Sequence, residues 1–242
     1  MNITKLINLY TKFNCAAMAF VSLATNNGLT MTNLLHIAAS PRTERSASRE
    51  VAQHFITSYM DTNPEATVHT IDLWQTALPE FDEHAMAAKY AGLSGTPLSA
   101  SQQAAWDGLR TLASHLHQAD IVVLSVPLWN FGIPYKLKQL IDLVTQKDIL
   151  FTFDHNGFNG MLANKQAVVV YARGLDYGAD SATPSSRFDL QKPYMEMWLN
   201  FIGITDTHSI VVEKTLFGNE IDHAARHAAA TQAAQLGQQL RR

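Results

Sequence analysis

One cysteine, Cys15, stands in a chain of 242 residues. That scarcity excludes an intrachain disulfide and any metal site built on several thiolates. It also suits a reducing compartment, so a cytoplasmic protein is expected. Charge is equally sparse: charged residues make up 16% and the formal net charge is −3. With no basic cluster, no interleaved aromatics and no paired Cys/His spacing, the chain offers nothing to nucleic acid or to an acidic membrane surface. Heptad runs are missing, and the apolar stretch at residues 15–24 is too short to span a bilayer. The 10 histidines are scattered. His223 and His227 alone share an i,i+4 spacing, which reads as a solvated helix face rather than as half of a metal set. No metal is expected.

What is present is ordinary globular material: 47% hydrophobic residues, 12 Gly and 8 Pro. Residues 1–30 stand apart from the rest. Lys5 and Lys12 precede the apolar stretch, and Ser22-Leu23-Ala24 resembles a weak leader-cleavage site. The competing reading is a misassigned start, because Met31-Thr32-Asn33 leads directly into the first strand. The segment is therefore treated as an N-terminal extension, and residues 31–242 as one domain.

From residue 34 onward, short apolar runs alternate with longer amphipathic stretches. Strands are predicted at 34–38, 67–73, 121–126, 167–171 and 209–212. Helices are predicted at 46–59, 99–118, from Pro134 through 144, at 190–202 ending on Gly203, and at 221–240. Residues 74–98 are turn-rich, with one short helix at 84–90. The runs at 121–126 and 167–171 are apolar on both faces, as central parallel strands are. Five strands alternating with helices predict an α/β protein with an open parallel sheet covered on both sides. In such sheets ligands bind beyond the carboxyl ends of the strands, at the topological switch point. The loops after strands one, three and four are therefore the places to look for chemistry.

The first loop has neither the Gly-x-Gly-x-x-Gly of a dinucleotide fold nor the Gly-Lys-Ser/Thr ending of a P-loop. It carries hydroxyls instead, with Ser40, Thr43, Ser46 and Ser48 running into a helix start. Unpaired N–H groups and the positive end of a helix dipole attract an anion, and hydroxyl donors add hydrogen bonds without a cation. Ser46 also suits a plain N-cap. The loop after strand three, Pro127-Leu128-Trp129-Asn130-Phe131, places two large aromatics in a connector. They either wall a planar ring, with Asn130 offering amide donors and an acceptor, or pack beneath the next helix. After strand four, Arg173 precedes Gly174, which permits a tight turn. Arg173 is either a solvated loop charge or a contact to a ring edge. No Gly-x-Ser-x-Gly nucleophile elbow is present.

Together these loops resemble the FMN-dependent NADH-azoreductase/quinone oxidoreductase family. The resemblance runs from about Leu34 to the C-terminus. It rests on Ser40 with Ser46-Ala47-Ser48, on Leu128-Trp129-Asn130-Phe131 continuing Gly-Ile-Pro-Tyr-Lys-Leu-Lys, and on Ala172-Arg173-Gly174-Leu175. Pro193-Tyr194 and the Phe201-Ile-Gly-Ile-Thr-Asp206 run add to it.

The resemblance implies a flavodoxin-like three-layer sandwich with strand order 2-1-3-4-5. It also implies one FMN per subunit, held by those three loops, with NADH or NADPH as electron donor. Quinones and azo compounds would accept two electrons in ping-pong fashion, in a homodimer that completes the site. No catalytic side chain is implied beyond Asn130, which would support the reduced flavin. The segment 151–157 is expected to form an aromatic lid over the flavin. Leu128 stands for the family's usual Met, and Ala172 and Leu175 for a Ser and a Gly. A rival expectation is a flavodoxin-like electron carrier or regulatory flavin-binding protein without azo or quinone turnover, although such carriers are usually shorter and acidic.

Overall fold

Five parallel strands form the sheet of the computed structural model, which describes residues 31–241. In chain order the elements are β1 (Asn33–Ala38), α1 (Ala47–Thr62), β2 (Thr67–Asp72), α2 (Glu83–Ser94), α3 (Ala100–Gln118), β3 (Ile121–Pro127) and α4 (Tyr135–Val144). They continue with β4 (Phe151–Asp154), β5 (Gly157–Gly160), β6 (Gln166–Ala172), α5 (Ser185–Phe188), α6 (Gln191–Phe201), β7 (Asp206–Val212) and α7 (Asn219–Gln239). The sheet order is β2-β1-β3-β6-β7, which is the expected 2-1-3-4-5 once only sheet strands are numbered. The N-terminal extension lies outside the described residues.

Alternation along each central strand sends neighbouring side chains to opposite faces. Leu35, Ile37, Val122, Leu124, Val126, Val169 and Tyr171 enter a core shared with α3, α4 and α6. Leu34, Val123, Val168 and Val170 enter a second core under α1 and α7. Helices thus cover both faces, in three layers. Each fully buried Val, Leu or Ile contributes roughly 1.5–3 kcal/mol, so two continuous apolar faces leave the central strands no alternative register.

Local signals terminate the helices as read. Ser46 caps α1 in extended geometry, its hydroxyl accepting the Arg49 N–H. Ser99 forms a capping box with Gln102. The helix within 74–98 is longer than expected because Asp82 caps its start and Gly95, in the left-handed region, closes its end.

The hairpin β4–β5 was not anticipated. Its strands are short and pair with each other, with one further bridge from Phe151 to Lys147, so no alternation long enough to read exists in the sequence. Gly160 meets Gly203 where the hairpin crosses the end of α6, and a Cβ at Gly160 would lie 2.2 Å from the Gly203 nitrogen. Gly203 follows α6 with φ 100, as expected for its C′ position.

Candidate cofactor cleft at the carboxyl ends of the strands

The loops after β1, β3, β6 and β7 converge on a cavity of about 170 Å³. A larger cavity, about 610 Å³, lies between α4 and α6. The smaller one is the candidate because it collects loop backbone and polar groups at the switch point between β1 and β3, where open α/β sheets bind ligands. Of the residues singled out in the sequence, Ser40, Ser46, Ala47, Leu128, Trp129, Ala172, Arg173 and Gly174 line it. Ser48 is fully buried directly behind, its hydroxyl 3.2 Å from that of Ser46.

The serine loop caps α1 and lines the cleft. Ser46 Oγ accepts the Arg49 N–H at 3.4 Å, and the Ser46 carbonyl accepts that of Glu50 at 3.0 Å. That leaves the N–H groups of Ala47 and Ser48, at the start of the 16-residue α1, for an anion. Ser40 Oγ accepts the Arg42 N–H at 3.3 Å and retains a proton to donate, while the Ser46 hydroxyl shares a hydrogen bond with that of Ser48. Two of the cations near the cleft are engaged elsewhere, while Arg42 also lines it. Arg49 pairs with Asp72 at 2.8 Å, and Arg226 with Glu50 at 2.6 Å and Asp222 at 2.7 Å. An anion here would meet oriented N–H and O–H dipoles, with the Arg42 charge beside them.

After β3 the chain makes a two-residue reversal. Trp129 N–H donates to the Gly132 carbonyl at 3.0 Å, and Gly132 N–H returns to Trp129 at 2.9 Å. Asn130 (φ 45) and Phe131 (φ 73) both sit at positive φ, the type I′ requirement that usually selects Asn-Gly. Asn tolerates it. Phe at the second position costs about 1–2 kcal/mol, a strain kept at the mouth of the cleft.

This turn separates the two aromatics. Trp129 packs into a cluster with Trp74 (5.6 Å between centroids) and Tyr135 (6.4 Å). Trp74 is anchored by its indole N–H on the Ala39 carbonyl at 3.0 Å. Phe131 remains 53% exposed, 6.0 Å from Phe188. Asn130 is exposed at the tip between them.

The third loop is tied to the second, since Leu128 N–H donates to the Ala172 carbonyl at 2.8 Å. Arg173 is no solvated loop charge. It is 5% exposed, paired with Asp189 and, at 2.8 Å, with Glu213. Gly174 lies against the exposed Leu216 side chain, whose Cδ1 would be 2.6 Å from a Cβ placed there. Leu175 stays 41% exposed at the rim. Below, burial above all, with the Glu196 and Asp189 charges, pushes the Tyr171 phenol well above its ordinary range.

The structure corrects the expected aromatic lid. Phe151, Phe153 and Phe158 lie in the β4–β5 hairpin, packed with Phe201 at the end of α6. That is the amino-terminal end of the sheet, opposite the cleft, so the hairpin does not cover the cleft of its own chain. Sequence reasoning also passed over Trp74, Arg42, Thr215, Leu216 and Arg226. Trp74 directly follows β2 and carried a signal: a large aromatic at a strand's carboxyl end. Arg42 sits within the serine loop itself, whereas Thr215 and Leu216 come from the loop after β7 and Arg226 from α7, which only the fold brings to the cleft. Among the described residues, no group of three or more His, Cys, Asp or Glu is placed to hold a metal.

Comparison with known proteins agrees with this geometry. Residues 32–236 match a family model described as a flavodoxin-like fold. An FMN-dependent NADH:quinone oxidoreductase of Pseudomonas fluorescens is 58% identical over 87% of this chain and 98% of its own length. One from Burkholderia lata is 54% identical over 78% of this chain and 90% of its own. A crystal structure titled as an FMN-dependent NADH-azoreductase from Bacillus anthracis, in complex with FMN, superposes with a TM-score of 0.73 at 25% identity, covering 86% of this chain and all (100%) of that one. The chain therefore belongs to the flavodoxin-like family of FMN-dependent NADH:quinone oxidoreductases.

Proposed function

We propose that this protein is an FMN-dependent NAD(P)H oxidoreductase that reduces quinones to quinols by two-electron transfer and cleaves aromatic azo compounds reductively. The observation carrying this is the convergence of a serine-lined helix start, an aromatic turn and an Arg-Gly loop on one cleft. The donor set fits FMN. Its phosphomonoester needs several N–H and O–H donors, which Ala47, Ser48, Ser40 and Ser46 supply, and its ring needs a planar apolar wall with polar edges. When bound, FMN supplies the hydride chemistry that links a nicotinamide donor to the acceptor.

The chain contributes binding, orientation and exclusion of water. Trp129, backed by Trp74 and Tyr135, gives a rigid wall beside the second loop. Asn130 projects an amide at the turn tip, where a preorganised donor favours negative charge developing on the cofactor ring. Phe131 and Phe188 offer an aromatic surface to an incoming ring. Ala172 and Leu175 replace a hydroxyl and a hydrogen with apolar groups, so this part of the rim favours apolar acceptors.

A homodimer completes the site in this reading. Met197 (62% exposed), Leu190 (66%), Phe153 (55%) and Phe158 (61%) stand bare along α6 and the hairpin, where a soluble monomer would leave few contiguous apolar groups. With the hairpin opposite its own cleft, its rings can close only over the cleft of a second copy. Among the described residues no helix is long and apolar enough to cross a membrane, and the low cysteine count suits the cytoplasm. One domain, residues 31–242, carries the three cofactor loops of each protomer.

The visible spectrum of the purified protein tests the reading. Flavin absorbance that bleaches on anaerobic addition of NADH, and returns with a quinone, is the expected result. A colourless protein that takes up no added FMN would overturn it.

A further inference from the structure

Three consecutive residues at the start of α6 bond to the second and third loops and to the end of β3. Asp189 is paired through Oδ2 with the Arg173 guanidinium, and its Oδ1 accepts the N–H groups of Gln191 at 2.8 Å and Lys192 at 3.1 Å. Leu190 donates its N–H to the carbonyl of Phe131 at 2.7 Å, the residue at the strained position of the turn. Gln191 is fully buried. Its amide donates to the Val126 carbonyl at 2.9 Å, and its Oε1 faces Arg173 Nε at 3.5 Å. Glu213, at the end of β7, takes the other arm of the guanidinium at 2.8 Å and accepts the Tyr177 N–H at 3.3 Å.

A buried guanidinium with two carboxylates is a poor source of stability, because desolvating the ions offsets much of their attraction. What such a group does well is fix geometry. The geometry it fixes here is the separation between the turn 129–132 and the loop 172–175. The turn needs such a hold, because a non-Gly residue at positive φ persists only when its surroundings over-determine it.

We infer that Asp189 and Gln191 are positioning residues for the cofactor. They clasp Arg173 and the end of β3, and through Leu190 they keep the Asn130–Phe131 turn in the shape that receives the ring edge. This rests on the FMN reading above. It assigns Arg173 a part inside the clasp, and it gives the 189–191 segment a role that neither charge nor motif revealed.

The test is a double-mutant cycle read by FMN affinity, using quenching of flavin fluorescence on titration into the apoprotein. Asp189→Asn keeps the shape and removes the charge that holds Arg173. Phe131→Gly removes the strain that makes the hold necessary. In the otherwise unaltered protein, Asp189→Asn should raise the FMN dissociation constant at least tenfold and shift the flavin reduction potential. In the Phe131→Gly background the same change should cost less than threefold.

Equal losses in both backgrounds, or no loss in a folded Asp189→Asn protein, would overturn the inference. If Asp189→Asn does not fold, Gln191→Ala replaces it in the same cycle with the same criteria. Absence of FMN binding by the unaltered protein overturns the cofactor reading itself, and this inference with it. Normal binding with uncoupled mutations overturns the clasp alone.

Discussion

Acidification should destabilise this protein chiefly through one buried histidine. His36 lies in the middle of β1, 4% exposed, with Nε2 3.1 Å from Ser125 Oγ. Burial above all, then the Arg49 charge, lowers its pKa from 6.5 to about 4, while Asp72 acts in the opposite direction. Above pH 6.5 the ring is neutral in both folded and unfolded chains, and no penalty arises. Between 6.5 and about 4 the unfolded chain binds the proton and the folded chain does not, so stability falls with pH through this window. Below about 4 both are protonated and the loss is complete. The separation corresponds to about 3 kcal/mol in all, of which about 2 kcal/mol is lost by pH 5.

Urea midpoints at pH 7.5 and pH 5, for the unaltered protein and for His36→Gln, measure this directly. Gln keeps a hydrogen-bonding group for Ser125 and cannot titrate. The variant should lose about 2 kcal/mol less than the parent across that interval. Other groups, such as His115, whose pKa is lowered by burial and by the stacked His69 ring, cancel in the comparison. An equal loss in both proteins would refute the assignment to His36.

Three further outcomes are expected. Ser46→Ala removes both a cap and a donor at the cleft, so it should cost about 1 kcal/mol of stability and roughly tenfold in FMN affinity, measured by urea melts and fluorescence titration. Affinity unchanged to within twofold would leave Ser46 a cap only. Asn130→Gly, which keeps φ 45 without strain, should slow acceptor reduction while the melting temperature holds. Turnover equal to the parent's would remove Asn130 from the mechanism. Gly160→Ala drives a methyl into the Gly203 backbone and should cost about 2 kcal/mol in thermal or urea denaturation. An unchanged melting temperature would show that the hairpin is not seated there.

The parallel sheet was legible because runs apolar on both faces, at 121–126 and 167–171, suit central parallel strands, whereas its order came only with the family resemblance. Ser46 and Ser99 announced their helices for an equally local reason, since a cap depends on residues within one turn. The serine-rich loop was legible as a spacing, and Asn130–Phe131 as an oddity of placement.

Other features depend on residues far apart in the chain. Nothing near Arg173 says that its charge would meet Asp189 and Glu213, 16 and 40 positions away. Nor does the sequence show that Trp129 would turn toward Trp74 while Phe131 stayed outside, because a two-residue turn at positive φ decides that. The rings of the 151–158 hairpin read as a lid from their composition, but the path of α4 carries them to the far end of the sheet. Local pattern determined the elements and the chemistry carried by each loop. Only packing decided which groups face one another, since contacts between remote elements follow from shape and burial that no short stretch contains.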